Sequence, residues 1–363
     1  MKKIAFVIDK YVDFATGGEP SIHSRLIRLL HENNYKVDVY CRYYVEAEDK
    51  LPIDVYPLFD NNKDEYIQRI KESKYDLIVG GKFALKYDEI SPDIITLHAH
   101  SDLHQQKSKF GFLYYLLKPR KKRIEKECSN LKRNANAKFV FCSEVLKNDY
   151  SKICEYKNSI ILNPYPNFKP TEDYQKKENE VFTFGISALG FQNKGGYLTI
   201  KSAFLLKLLG KKFKLRIIYR KDPDFLHKAL INVLGLKKNI EFLRRQNDMT
   251  DFYSSIDCLI LASQLESYGM VALEALAYNL PVIASSNSGF SEVITDGVNG
   301  YVFKFDFNRM FNLFLKMKEV YENKNLDSMK ENIRKIEINT IDKYNDVMLK
   351  LIEKSLTDRG KYN

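Results

Sequence analysis

Two doubly wound α/β domains are predicted for this chain, and three features of the sequence predict them. Short apolar runs alternate with helix-patterned segments in both halves, one stretch (163–180) breaks that rhythm, and 363 residues suit two domains of ordinary size. Strands that are apolar nearly throughout, separated by helices, imply parallel sheets covered on both faces.

In chain order, KIAFVID reads as a buried first strand, and SIHSRLIRLLHEN as a helix with Ile22, Leu26, Leu29 and Leu30 on one face. KVDVYC, YDLIVG, PDIITLH and AKFVFCS read as further strands. The stretch NPYPNFKPTEDYQKKENE is rich in proline and charge and poor in apolar residues, as a linker between domains is. Alternation then resumes. VFTFGIS, KLRIIY, NIEFL, IDCLILAS and PVIAS are the strands, and GYLTIKSAFLLKLLG and VALEALAY are helices. From about 307 to 358 the pattern is helical, in FNLFLKMKEVY and VMLKLIEKSL. The expected division is 1–168, 169–330 and a helical tail, 331–363, that crosses back to the first domain. In such sheets ligands bind beyond the carboxyl ends of the strands, so functional residues are sought there and in the cleft expected between the domains.

Composition narrows the class. With 44% hydrophobic and 29% charged residues the chain is an ordinary globular protein, not a disordered or collagen-like one. No apolar run approaches the roughly 18 residues that span a bilayer. The apolar part of MKKIAFVID is too short for a secretory signal, so a cytoplasmic protein is expected. Five cysteines with no CxxC pair argue against a disulfide framework or structural zinc, and Cys258, within IDCLILAS, reads as core. The net charge is +11, with one dense patch: residues 118–133, KPRKKRIEKECSNLKR, hold eight basic and two acidic residues. That patch is either a solvated helix face or a surface for anionic lipid or acidic glycan, which would make the protein peripheral on the inner membrane face. Nucleic acid has no supporting motif.

The densest constellation is 263–300, SQLESYGMVALEALAYNLPVIASSNSGFSEVITDGVNG. A strand ends near Ser263, a loop carries Glu266 and Gly269, and a helix begins near Met270 and carries Glu274. The helix N-terminus suits a phosphate. Gly269 lets a ligand approach the backbone. Two carboxylates eight residues apart are acceptors for vicinal hydroxyls of a sugar or ribose.

This stretch resembles the E-x7-E signature of retaining nucleotide-sugar glycosyltransferases of the GT-B fold, family 4 type (glycosyl transferases group 1). ESYGMVALEAL, NLPVIAS, SGFSEVITDG and the closing NG agree with it in order and spacing. The resemblance implies that Glu266 contacts hydroxyls of the transferred sugar. It places the backbone at Gly269 and Met270 on sugar and diphosphate, and Glu274 on the ribose. Glu292 matches a glutamate that usually buttresses the site. SALGFQNKGG resembles the family's G-R-L and K-G segment: Lys194 and Gly195 match the K-G, which makes Lys194 a diphosphate ligand, while the arginine's place falls at Ala188. Arg220 and Arg245, at strand ends, either compensate or are plain surface residues.

In the first half, Gly17 and Gly18 resemble the family's glycine loop near the donor phosphates, and His98, after PDIITL, matches a histidine near donor sugar and acceptor. Glu127, Phe139, Ser143 and Asn163 carry weaker matches, and Pro164 stands where a glycine is usual. The resemblance covers about 1–305. It implies transfer with retention from a nucleotide-sugar, a UDP-sugar by expectation, to a glycan or glycolipid acceptor of the bacterial cell envelope. The leaving phosphate then helps to deprotonate the acceptor on the same face. No metal and no cofactor are expected, the nucleotide-sugar being a substrate. Two other readings stay open: a metal-dependent hydrolase built on His98 and His100, since HAHSD resembles such motifs, and a non-catalytic sugar-binding module of the same fold.

Overall fold

The computed structural model describes residues 1–12, 19–46, 51–58, 62–101, 121–166, 170, 175–219, 225–244, 248–323 and 325–360. The chain divides into two units, Met1–Tyr165 with Asn339–Asn363, and Pro166–Ile338.

The first unit runs β1 (Lys3–Val12), α1 (Glu19–Glu32), β2 (Lys36–Val45), β3 (Asp54–Pro57), α2 (Lys63–Glu72), β4 (Leu77–Gly81), β5 (Ile94–Leu97), α3 (Lys121–Arg133), β6 (Lys138–Phe141), α4 (Glu144–Ser151) and β7 (Ser159–Ile161). Its sheet has the order β3-β2-β1-β4-β5-β6-β7, and its described pairings are parallel. Alternate residues of β1 serve opposite faces, as a strand requires. Ile4, Phe6 and Ile8 pack with Leu26 and Leu30 of α1, whereas Ala5 and Val7 pack with Ile67 and Ile70 of α2.

The second unit runs β8 (Thr183–Ser187), α5 (Gly196–Leu208), β9 (Lys214–Tyr219), α6 (Phe225–Val233), β10 (Ile240–Arg244), α7 (Thr250–Ser254), β11 (Cys258–Leu261), α8 (Met270–Ala277), β12 (Val282–Ser285), β13 (Tyr301–Phe303), α9 (Arg309–Glu322) and α10 (Leu326–Arg334). Its sheet order is β10-β9-β8-β11-β12-β13. Both sheets therefore start in the middle, wind outward to one edge and return, the Rossmann-like order. In each, the direction of winding reverses between its first and fourth strands, β1 and β4 in one unit, β8 and β11 in the other.

The last helix, α11 (Ile341–Gly360), belongs to the first unit, where Tyr344, Met348 and Ile352 are fully buried with the β1 and α1 residues. Arg359 pairs with Asp93 at 3.0 Å and Lys138 with Asp358 at 3.0 Å, which pins the helix end beside β5 and β6. The unit boundary at Tyr165 falls inside the proline-rich stretch. Cys41, Cys142 and Cys258 are buried free thiols. Among the described residues no helix is long and apolar enough to cross a membrane.

Candidate active site

The site in the second unit is assembled at the carboxyl ends of β8, β11 and β12, at the point where winding reverses and ligands of such sheets bind. The loop after β8 carries Lys194 and turns into α5 through Gly195, whose φ is 77°. A Cβ there would overlap the carbonyl oxygen of Ala262, so only glycine lets this loop lie against the end of β11. Gln264 N–H donates to the Asn193 carbonyl at 2.9 Å and fixes the two loops together. Asn287, after β12, donates its side-chain amide to the Gln264 carbonyl at 3.1 Å and accepts Glu266 N–H at 3.2 Å.

This frame brings Lys194 and Glu266 together. Lys194 Nζ lies 2.5 Å from Glu266 Oε2, and Ser263 Oγ donates to the same oxygen at 2.9 Å. The side chains are 38% and 15% exposed, so the pair opens onto solvent rather than lying in the core. One of the three ammonium N–H groups is engaged with Glu266, and both of these bonds to the carboxylate end on Oε2. Charge-assisted bonds of this kind hold both groups in fixed places.

Gly269 caps α8 with φ 115°, and a Cβ there would lie 2.7 Å from Leu261 Cδ2 and 3.4 Å from Ser288 Oγ. The Gly269 carbonyl takes the N–H groups of Ala272 and Leu273, which leaves those of Met270 and Val271 at the open end of the helix. Glu274, one turn further, is only 4% exposed, and its Oε2 accepts from Tyr253 OH at 2.7 Å. Tyr253 stacks on Tyr278, with ring centroids 4.8 Å apart, and Tyr278 OH is 2.7 Å from Thr250 Oγ1. Burial beside this carboxylate pushes the Tyr253 hydroxyl well up, so it stays a donor. Glu292 lies exposed on the short turn Gly289–Val293. Ala188 is 1% exposed, and its N–H is bonded to the Ile218 carbonyl at 2.7 Å, so the arginine's place lies inside the sheet margin.

In the first unit, His98 follows the last residue of β5 and is half-buried, with Nε2 enclosed and without a partner among the described residues. Burial pushes its pKa down to about 4. His100 turns elsewhere: its Nδ1 is 3.1 Å from Asp149 Oδ2, an oxygen that also accepts Ser101 N–H at 3.2 Å. The two histidines thus serve different neighbours, and among the described residues no three His, Cys, Asp or Glu are grouped to hold a metal. Glu127 is buried against Lys82 at 3.3 Å, Ser143 caps α4 by accepting Leu146 N–H at 3.0 Å, and Asn163 donates to the Cys142 carbonyl at 3.0 Å. These three positions build the scaffold. Gly17, Gly18, Arg220 and Arg245 lie outside the described residues.

Sequence reasoning did not single out Ser263, Tyr253 or Asn287. Ser263 sits inside the quoted stretch, three residues before Glu266, where a strand end meets the site. Tyr253 carries no local signal, because its role comes from a contact across 21 residues.

Residues 169–336 match the family model for glycosyl transferases group 1. That match takes in almost the whole of the second unit and less than half of the chain. Most of the chain is similar to lipopolysaccharide glucosyltransferase WaaG of Escherichia coli, at 23% identity over 327 residues, 82% of this chain and 84% of WaaG. A crystal structure of WaaG superposes with a TM-score of 0.68 at 20% identity, covering 91% of this chain and 94% of that one. An uncharacterized glycosyltransferase of Haemophilus influenzae is 29% identical over 152 residues, 40% of this chain, and the match spans only 41% of that protein. Anabaena HepE, solved in complex with UDP and glucose, superposes with a TM-score of 0.66 at 16% identity, covering 97% of this chain and all of HepE. The structural likeness shows the fold, GT-B with two Rossmann-like units and a helical C-terminal segment.

Proposed function

We propose that the chain is a glycosyltransferase that moves a sugar, with retention and without a metal or cofactor, from a UDP-sugar to a glycan or glycolipid acceptor in bacterial cell-envelope polysaccharide assembly, on the cytoplasmic side. The observation that carries this reading is the Lys194–Glu266 pair, set 2.5 Å apart beside the open N-terminus of α8. A cation and a carboxylate suit the two ends of a sugar–diphosphate. WaaG, a lipopolysaccharide glucosyltransferase, and HepE, solved with UDP and glucose, support the substrate classes by analogy.

In this reading Lys194 directs its remaining N–H groups at the diphosphate, where negative charge grows as the glycosidic bond breaks. The N–H groups of Met270 and Val271 add the helix dipole to the same place. With Ala188 in the arginine's position, Lys194 is the cation that the described residues put beside Glu266. Glu266 presents Oε1 to hydroxyls of the transferred sugar, with Oε2 anchored by Lys194 and Ser263. Glu274, oriented by Tyr253, accepts from the ribose. By resemblance alone, His98 is assigned to sugar or acceptor, and Gly17, Gly18 and Arg245 to the donor.

Thermal shift across UDP-, GDP- and ADP-sugars, followed by donor hydrolysis with and without EDTA, tests the proposal. Stabilisation by UDP and a UDP-sugar, with EDTA-insensitive hydrolysis, is expected. Stabilisation without turnover, even with candidate glycan acceptors supplied, would instead favour a non-catalytic sugar-binding module. Hydrolysis abolished by EDTA would overturn metal independence.

A further inference from the structure

Beneath His98 lies a second histidine that no motif reading used. His23, in α1, is 1% exposed and sits edge-to-face against His98, with ring centroids 5.7 Å apart and planes at 82°. Its other flank meets Phe6 of β1 at 6.5 Å. Its Nε2 lies 2.8 Å from Thr96 Oγ1, and Thr96 is two residues before His98, on the same face of the chain. The Thr96 hydroxyl also reaches the Gly80 carbonyl, at 3.4 Å. A hydroxyl has one proton to give, and a carbonyl can only accept. Whether Thr96 Oγ1 donates to His23 Nε2 or accepts from Nε2–H depends on the tautomer, and in both cases the 2.8 Å bond fixes the plane of the His23 ring.

We infer that His23 is a positioning residue for His98: held by Thr96 and Phe6, its ring forms the wall that sets how the His98 imidazole is turned. His98 Nε2 is enclosed with no partner among the described residues, so its direction is set by ring packing and not by a hydrogen bond of its own. This inference rests on the reading of His98 as a site residue, and the test separates the two.

The experiment is a double-mutant cycle of His23→Ala and His98→Ala, with UDP-glucose hydrolysis as the activity and the imidazole ¹⁵N and ¹H resonances of His98 as a substrate-free readout. His23→Ala is expected to lower kcat about 10- to 100-fold with little change in KM, the scale of a misplaced group in an oriented site. In the His98→Ala background the same change should cost less than about twofold, because the group it positions is gone. His23→Phe, which keeps a ring of similar size, should restore most of the rate. The His98 resonances should move and broaden in His23→Ala and stay near wild type in His23→Phe. Equal losses in both backgrounds, or unmoved His98 resonances in folded His23→Ala, would overturn the inference alone. Unchanged hydrolysis in His98→Ala would remove His98 from the site and the inference with it.

Discussion

At the scale of single residues, the two glutamates of the E-x7-E pattern occupy unlike environments. Glu266 is anchored by Lys194 and Ser263 through one oxygen, whereas Glu274 is almost fully buried and bonded by Tyr253. Their substitutions should differ accordingly. Glu274→Ala removes a charge-assisted acceptor and also strips Tyr253 of a buried partner. UDP affinity in calorimetry should fall by about 1.5–3 kcal/mol, and thermal stability should fall too, since Tyr253 OH is left with only the longer bond to the Val271 carbonyl at 3.3 Å. Unchanged UDP affinity would remove Glu274 from the nucleotide site. Lys194→Ala should act on turnover more than on binding, because the charge it meets is largest in the transition state. In steady-state kinetics kcat should drop while KM moves little, and a rise in KM alone would confine Lys194 to ground-state binding.

At the scale of elements, the longest apolar runs were legible because a buried parallel strand needs apolar residues on both faces. KIAFVID, KVDVYC and IDCLILAS became β1, β2 and β11 for that reason. The short strands β3 and β7 were not legible, being three or four residues with partly exposed, mixed side chains, and β13, though apolar and mostly buried, is three residues, too short to show a period. The E-x7-E helix and the K-G loop were readable as local patterns. What ties them together, Gln264 to Asn193 and Asn287 to Glu266, spans the ends of three strands and leaves no local trace. The contact between α1 and the end of β5 is of the same kind, and it carries a pH dependence. Burial holds His98 at about 4, and burial together with His98 holds His23 at about 3, both below an ordinary histidine's 6.5. The unfolded chain therefore binds more protons than the folded one from about pH 6.5 downward. The stabilisation is whole above that pH and is lost as pH falls toward 4 and 3, at ~1.4 kcal/mol per ring per pH unit. Thermal midpoints measured between pH 7 and 4 should drop more steeply for wild type than for His23→Phe. Parallel slopes would mean that His23 does not titrate this way.

At the scale of the whole molecule, the charge balance is the property left to place. The chain carries +11, and 118–133 holds eight basic residues against two acidic. Part of that excess is matched locally: Lys126 lies 3.5 Å and Arg133 3.9 Å from Asp88, and Glu127 faces Lys82. Asn130, on the same helix α3, donates to the Leu85 carbonyl at 2.8 Å, so this face of α3 is bound to its own unit. The remaining charge concentrates at Lys118 and Arg120–Arg123, of which 118–120 lie outside the described residues, as do the apolar and aromatic residues 112–117. A glycolipid acceptor would be met at a membrane surface, and each lysine or arginine near an anionic bilayer contributes about 1 kcal/mol, an attraction that salt screens. Sedimentation with liposomes should therefore require anionic lipid and decline between low and physiological salt. Replacing Arg120, Lys121, Lys122 and Arg123 by serine should release the protein, while the proposed donor hydrolysis, to which none of these four residues is assigned, should be retained. Equal sedimentation with neutral and anionic liposomes, or none with either, would return this stretch to an ordinary solvated helix face and leave the acceptor to be found in solution.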